Sequence, residues 1–472
     1  MTNSKIAALV SFLIFLLFLS LGMYFNFEVL NETRKSLLVK RMSLLQVSDI
    51  GAFRHFDYIP AGGYLTELAY VNAPITAKAL ASLKALNGLE YVNVNDSLDY
   101  ISLKQHPQEG GFGIYYGYDG THLGLDLGST YFVVHNLNLI NKLDTLNQTS
   151  LVNFVLVRYN TSLGAFHELV TEAYNKSYAL SAFGMSFTHY EHEMAYSIPN
   201  IISTFLGVSI LADLDALHRI NTTRTLEWVN QCKTSDGLFE PFPNASYSTL
   251  PPWSPLKTNP FDIDVKGTGT PYIYAAIGTL NAFNRLDSLS QQDKQNIKEY
   301  LISCQSNNGM FYMHSNERFD KHPRWTEYAI MSLYQIDMLS EAEENVQKTV
   351  NYIIQKQILE LDNKLLFPGP QDTAYGFFSL GGSDLLGDTN IAVLILNTTK
   401  SLSTLDKPTP ISFLTIRNIL LLSLIAPSII AISLIWRRFY QKIGKNNEGW
   451  NEQHAILQWC AYSLKTYAER GV

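Results

Sequence analysis

The sequence predicts an all-α protein in which six helical hairpins lie between two transmembrane helices. Three observations support this prediction: a helical pattern that repeats along residues 36–400, an uncharged apolar segment near each end, and a low charge content. Charged residues make up 16% of the 472 residues, whereas soluble domains average about a quarter. Two membrane segments account for part of that difference.

The first apolar segment follows a short tail, residues 1–5. Residues 6–25, IAALVSFLIFLLFLSLGMYF, carry no charge over 20 positions, which is enough to cross a hydrocarbon core of about 30 Å. A cleaved signal peptide would have a shorter apolar region, roughly 7–15 residues, and an Ala-x-Ala-like cleavage site. Residues 6–25 have neither feature, so we predict an uncleaved transmembrane helix.

The second apolar segment is residues 418–436, NILLLSLIAPSIIAISLIW. Pro427 introduces a possible kink, and Trp436 lies where interfacial aromatic residues are common. The basic residues that follow at once predict a cytoplasmic end: Arg437, Arg438, Lys442 and Lys445. In the remaining tail, 437–472, the stretch QHAILQWCAYSLKTYAERG predicts a helix that either lies on the membrane, docks a partner or simply ends the chain.

Two spans place both termini on one side of a cell membrane, so the C-terminal basic cluster predicts an extracytoplasmic repeat domain. The basic residues Arg34, Lys35, Lys40 and Arg41 oppose this orientation, although long translocated domains weaken the charge rule. Asn-x-Ser/Thr glycosylation sequons, all between the two spans, agree with it. They begin at Asn31, Asn95, Asn147, Asn160, Asn175, Asn221, Asn244 and Asn397.

Internal similarity is the strongest signal in the chain. LNLINKLDTL (137–146) resembles LNAFNRLDSL (280–289), and EWVNQCKTSDGLF (227–239) resembles EYLISCQSNNGMF (299–311). The shared unit is a helix, a polar turn with glycine and phenylalanine, and a second, Leu-rich helix. The glycine supplies the positive φ angle that stops a helix, and the phenylalanine is positioned to plug the end of the hairpin.

Six such units are predicted, and each can bury its apolar face only against its neighbours. Cys232 and Cys304 occupy matching positions of two units, which indicates small buried residues rather than a disulfide. The units cover residues 36–88, 95–146, 150–218, 223–289, 295–340 and 347–400.

The second unit carries a family resemblance. KQHPQEGGFG and STYFVVHNLNLI within it resemble the repeat of protein prenyltransferase β-subunits and class II, squalene-type terpenoid cyclases. The resemblance covers residues 36–400 and implies an (α/α)6 toroid, in which one ring of helices lines a central cavity and a second ring surrounds it. It implies a fold rather than a reaction, because function depends on the site.

The catalytic motifs of that family are incomplete here. The cyclases protonate their substrate with an Asp-x-Asp-Asp acid, and the nearest match, Asp262-Ile-Asp264-Val265, lacks the third acid. The alternative is that Asp262 and Asp264 are loop and N-cap residues. The zinc ligands of the prenyltransferases have no counterpart, since no Asp-x-Cys lies near the start of a second helix. Whether the chain is an enzyme therefore stays open, and no cofactor is predicted.

Two other groups of polar residues are candidate sites. In the fifth unit, basic residues and a tryptophan lie in a loop where prenyltransferases bind a diphosphate; a solvated loop of mixed charge is the alternative. In the third unit, His189, His192 and Glu193 share a helical face and could bind a divalent metal, or form a polar helix start. The residues of the fifth-unit group are Arg318, Lys321, His322, Arg324 and Trp325.

Three functions follow as hypotheses. The first is a membrane-tethered toroid that binds or processes an isoprenoid or other lipid. The second is a non-catalytic interaction or structural module that contacts a membrane-surface protein. The third is a glycan-active or metal-dependent enzyme, for which further candidates are Trp253, Tyr272, Trp325 and Glu327. A net charge of −7 gives no reason to expect nucleic acid as a partner.

Overall fold

A computed structural model describes residues 33–54, 71–116, 122–167, 199–243, 268–315, 322–358, 377–380 and 385–408. The chain forms two compact units. One comprises residues 34–358 and 376–407, and everything described below belongs to it. The other comprises residues 1–33, 359–375 and 408–472. Of its residues only Thr33 and Pro408 are described, and they pair in an isolated antiparallel bridge.

The described residues form α-helices and two short β-hairpins. The strands β1 (Gly113–Tyr116) and β2 (His122–Leu125) are antiparallel with Gly113 opposite Leu125, and β3 (Tyr159–Asn160) pairs with β4 (Ala165–Phe166). The helices are α1 (Arg34–Leu44), α2 (Ala73–Ala85), α3 (Val94–Leu103), α4 (Leu127–Leu139), α5 (Gln148–Leu156), α6 (Ile201–Asp213), α7 (Thr222–Gln231), α8 (Thr270–Ala282), α9 (Gln291–Ser303), α10 (Pro323–Gln335), α11 (Glu343–Gln355) and α12 (Leu385–Thr398).

The even-numbered helices form a closed inner ring. Each packs against the next even-numbered helix along the chain, and α12 packs against α2. The odd-numbered helices are the outer members of the six hairpins. The predicted α/α toroid is therefore confirmed for the described part of the chain. Its closure buries an almost continuous apolar core that extends from Leu38 to Leu405.

Each inner helix is followed, two residues after its last residue, by a residue in the left-handed conformation: Asn87, Asn141, Asp215, Asn284, Asp337 and Lys400. Asn and Asp tolerate positive φ better than other non-glycine residues. Gly110, Gly237 and Gly309, which the sequence analysis assigned to stop the outer helices, do have positive φ, as do Gly51 and Gly164 at the equivalent positions, but the assigned role is wrong. The helix α3 has already ended at Leu103 before Gly110 is reached. The glycine is needed because its loop touches the next outer helix: a Cβ on Gly51 would lie 2.3 Å from the Asp96 carbonyl carbon.

One phenylalanine at the equivalent position of every unit is fully buried: Phe53, Phe112, Phe166, Phe239, Phe311 and Phe378. The predicted plug role is confirmed for Phe112, Phe239 and Phe311, which follow the glycines of the motifs found in the sequence. In five units the backbone N–H of this phenylalanine donates to a threonine hydroxyl on the inner helix, as Phe311 does to Thr326 over 3.0 Å. Ile273 takes the threonine position in the fourth unit. This hydrogen bond fixes each inner helix to the loop of its own hairpin.

A glutamine joins four of the hairpins to the next one. The Gln105 carboxamide accepts from the Asn147 backbone N–H over 2.9 Å and donates to the Asn147 carbonyl over 3.0 Å. Gln46 binds Asn93 in the same way. Gln357 donates to the carbonyl of Arg34, 323 positions away, over 3.1 Å. The last repeat thus returns to the first, which closes the outer ring.

The predicted membrane segments are not tested by these helices. Within the described residues, no helix has both the length and the apolar character that a membrane crossing requires. The segments 6–25 and 418–436, and the tail 437–472, lie outside the described residues. Cys232 and Cys304 are described; both are buried and neither forms a disulfide, which confirms the predicted packing role.

Candidate functional site

The face of each inner helix that lines the lumen can be identified from its register. The position of the outward-facing threonine lies eleven residues before the left-handed residue in every unit. The positions nine, six and two residues before the left-handed residue lie on the opposite face of the inner helix, and most of these residues are partly exposed. We call these positions the upper, middle and lower layers. The upper layer is Lys78, Phe132, Leu206, Ala275, Tyr328 and Ile391. The middle layer is Ala81, His135, Ser209, Gly278, Met331 and Leu394. The lower layer is Ala85, Leu139, Asp213, Ala282, Gln335 and Thr398.

Side chains close the lumen at the upper layer. Arg324, near the start of α10, places its guanidinium carbon 5.2 Å from the centroid of the Phe132 ring on α4. The helices α4 and α10 are the second and fifth of six inner helices, so this contact crosses the ring. The Lys78 ammonium of α2 lies 3.5 Å from the same centroid. Phe132 is thus held by two cations through cation–π contacts.

An aromatic belt continues from Phe132 around the same level. Phe205 makes edge contacts with Tyr131 and Tyr274, at ring centroid distances of 5.4 and 5.0 Å. Burial raises the pKa of both Tyr131 and Tyr274, and each hydroxyl affects the pKa of the other. Tyr274 also stacks on Tyr328 at 4.5 Å. We define the aromatic belt as Tyr131, Phe132, Phe205, Tyr274 and Tyr328.

Glu327 directly precedes the belt residue Tyr328 on α10 and carries an acidic side chain. Burial raises the pKa of its carboxyl, and the charges of Lys78, Arg324 and His135 offset part of the shift. Glu327 in turn contributes to a raised pKa of Tyr274, whose main cause is burial. The upper lumen therefore combines two basic side chains with a carboxyl group whose raised pKa favours its neutral form.

Most side chains of the middle and lower layers are uncharged and either small or apolar. The exception is a pair on adjacent helices. His135 Nδ1 lies 3.1 Å from Asp213 Oδ2, and the Asn138 carboxamide donates to Asp213 Oδ1 over 2.6 Å. The His135 ring also stacks on Tyr131 at 5.1 Å.

The fifth-unit group predicted from the sequence is partly in place. Arg324 reaches the upper layer, and Trp325 lies 5.9 Å from Tyr328. His322 is exposed, where its side chain accepts from the Arg324 backbone N–H as the N-cap of α10. Arg318 and Lys321 lie outside the described residues, as do the candidates Asp262 and Asp264 and the metal candidates His189, His192 and Glu193. Among the described ranges, no group of three His, Cys, Asp or Glu side chains is arranged to hold a metal.

Sequence reasoning missed Lys78, His135 and Asp213, although a signal for them existed. Once the left-handed residue of each unit is used as the reference, all three fall on the lumen face. Of the sequon residues, Asn147 and Asn221 cap outer helices, Asn95 and Asn397 are exposed on helices, and the Asn160 side chain accepts from Ser162 and Leu163. The sequons at Asn31, Asn175 and Asn244 are outside the described residues. Glycosylation stays a prediction.

Comparison with known proteins gives one family. Residues 3–167, 125–249 and 262–361 match the prenyltransferase alpha-alpha toroid domain. No curated protein sequence matches. Among solved structures, the chain is similar to protein geranylgeranyltransferase-I from Candida albicans complexed with GGPP, at 15% identity and a TM-score of 0.48, covering 74% of this chain and 90% of the other. A type II terpene cyclase from Scytonema, in complex with geranylgeranyl dihydroxybenzoate, has 11% identity and a TM-score of 0.45, covering 78% and 97%.

Proposed function

Because the chain belongs to the prenyltransferase alpha-alpha toroid family, we propose that its lumen binds an isoprenoid or comparable lipid that carries an anionic head group. The observation that carries the proposal is the meeting of Lys78 and Arg324 on the Phe132 ring, directly above layers of small, mostly apolar side chains. Turnover of the ligand is not part of the proposal.

The charge of the upper lumen supports an anionic head group. Lys78 and Arg324 bring two basic side chains to the Phe132 ring, whereas burial raises the pKa of the Glu327 carboxyl and so favours its neutral form. A phosphate or carboxylate that replaces Glu327 as their partner gains charge-assisted hydrogen bonds in a site partly screened from water. Arg324 suits such a group through its planar, forked donors.

The middle and lower layers support an apolar chain. Ala81, Ala85 and Ala282 face this part of the lumen, and each is partly exposed, so their small side chains leave apolar surface that a ligand can cover. Each methylene that a ligand buries there contributes about 0.8 kcal/mol. Since side chains close the ring at the upper layer, the chain of the ligand lies in the lower half of the lumen with its head group toward the cations.

We further propose that the two apolar segments, 6–25 and 418–436, hold this domain at a membrane with the ring on the extracytoplasmic side. Their lengths and the sequons between them support the proposal. A tethered ring would meet lipid ligands where they are concentrated. The orientation is tested by treating the membrane-inserted chain with a glycosidase, which should change its electrophoretic mobility. A chain that carries no glycans, and whose ring is protected from external protease, would contradict the proposed orientation.

The lipid proposal is tested by calorimetric titration of the detergent-solubilised full chain with farnesyl phosphate. Lys78→Ala and Arg324→Ala should each weaken binding by about 10-fold or more, since a hydrogen bond to a charged group contributes about 1.5–3 kcal/mol. The control is Lys142→Ala, which removes an exposed cation outside the lumen and should leave the affinity unchanged. Absence of binding by the wild-type chain, or equal losses in all three variants, would contradict the proposal.

A further inference from the structure

We propose that His135 and Asp213 form a hydrogen-bond acceptor site that recognises a hydroxyl group of the ligand, close to its anionic head. The inference rests on the proposed function, because it names a second polar group on the same ligand. It identifies the ligand class as an anionic lipid with a nearby hydroxyl, rather than a plain hydrocarbon chain with a terminal acid.

The first argument is that the pair breaks the pattern of the repeat. The equivalent middle-layer positions of the other five units hold Ala81, Ser209, Gly278, Met331 and Leu394, and the equivalent lower-layer positions hold Ala85, Leu139, Ala282, Gln335 and Thr398. None of these side chains is titratable. The ring therefore closes without a charged pair at this level in every other unit, and packing does not require one between α4 and α6.

The second argument is electrostatic. Asp213 is the last residue of α6, where the carbonyl ends of the helix dipole disfavour a negative charge by about 0.3–1 kcal/mol. Its carboxylate is held there by Asn138 at 2.6 Å and His135 at 3.1 Å. Helix stability alone would favour a neutral or basic residue at this position. The carboxylate instead has the effect of fixing the His135 ring.

The third argument concerns the nitrogen that remains. When the His135 ring is neutral, the contact with Asp213 favours the tautomer with the proton on Nδ1, which leaves a lone pair on Nε2. The side chain is 40% exposed, and stacking on Tyr131 at 5.1 Å holds its plane. The carboxamide oxygen of Gln335, at the lower layer, is also buried without a hydrogen-bond donor. The lower lumen thus offers acceptors, and a ligand hydroxyl supplies the matching donor.

The spacing of the layers sets the chemistry of that ligand. His135 follows Phe132, the residue that the two cations contact, by three positions on α4. At 1.5 Å per residue, the acceptor lies about 4.5 Å further along the helix axis. A hydroxyl two or three carbons from the acidic group spans this distance, as in a 3-hydroxy fatty acid.

The test compares 3-hydroxytetradecanoate with tetradecanoate, two probes that share chain length and charge, on the full-length chain. One additional hydrogen bond of about 0.5–1.5 kcal/mol corresponds to roughly 2–12-fold tighter binding of the hydroxy acid. His135→Phe keeps a ring but removes the acceptor and should abolish this preference. Asp213→Asn, a smaller change, should reduce the preference for the hydroxy acid, because the asparagine amide can donate to Nδ1 and so move the ring proton of His135 to Nε2. His218→Phe, at an exposed position, is the control and should retain it.

The outcomes separate this inference from the proposed function. Equal binding of the two acids by the wild-type chain, or a preference that survives in His135→Phe, overturns the acceptor site and leaves lipid binding intact. Binding of farnesyl phosphate without binding of either acid also overturns the acceptor site. If neither farnesyl phosphate nor the acids bind, the proposed function fails and the inference fails with it.

Discussion

Replacing Gln305 by alanine removes the side chain that joins the fifth hairpin to the sixth. The Gln305 carboxamide donates to the Asn345 carbonyl over 2.9 Å and to the Thr349 hydroxyl over 3.0 Å, and accepts from the Asn345 side chain over 2.7 Å. Each net intramolecular hydrogen bond contributes about 0.5–1.5 kcal/mol. Because the site is only partly buried, water replaces some of this energy, and we expect a loss of about 2–3 kcal/mol.

The matched control is Gln295→Ala on the same hairpin. Its carboxamide bonds Glu299 over 2.6 Å at an exposed site, an interaction worth about 0.2–0.5 kcal/mol that the better helix propensity of alanine largely offsets. Urea unfolding followed by circular dichroism measures both variants. If Gln305→Ala loses less than about 0.5 kcal/mol, or no more than Gln295→Ala, the glutamine does not join the hairpins in the way argued here.

Two further predictions concern the core and the lumen. Phe311→Ala should lower the free energy of unfolding by about 3–5 kcal/mol, measured by thermal or urea unfolding, because the ring is fully buried. The control Tyr334→Ala, at a side chain that is 53% exposed, should change it by no more than about 0.5 kcal/mol. Equal losses in the two variants would contradict the plug role. Glu327→Gln should stabilise the fold at neutral pH. Burial raises the folded-state pKa of this carboxyl. The Glu327 carboxyl therefore contributes stability that is fully present below its unfolded-state pKa and is lost as the pH rises through its folded-state pKa. The gain in the free energy of unfolding of Glu327→Gln over wild type should therefore be largest near pH 7 and vanish near about pH 4. A gain that does not depend on pH would refute this role of the Glu327 charge.

The lumen cluster explains why the sequence analysis located only part of the site. Arg324 and Trp325 were visible because they are close together in the chain and match the position of a family loop. Lys78, His135 and Asp213 lie on three different helices, and each alone reads as an ordinary polar residue in an amphipathic pattern. Their proximity depends on the ring closing, which places α10 opposite α4.

The sequence by itself determined the number of hairpins, the approximate limits of each unit, the buried phenylalanines of the second, fourth and fifth units, and the buried cysteines. These features depend on local periodicity and on turn residues a few positions apart, which repeat similarity makes visible. Tertiary structure alone decided that the glycines serve the contact with the next outer helix, as at Gly51 and Asp96, and that two cations meet on Phe132. The physical reason is that helix propensity acts over a few residues, whereas these contacts join residues brought together only when six hairpins close into a ring.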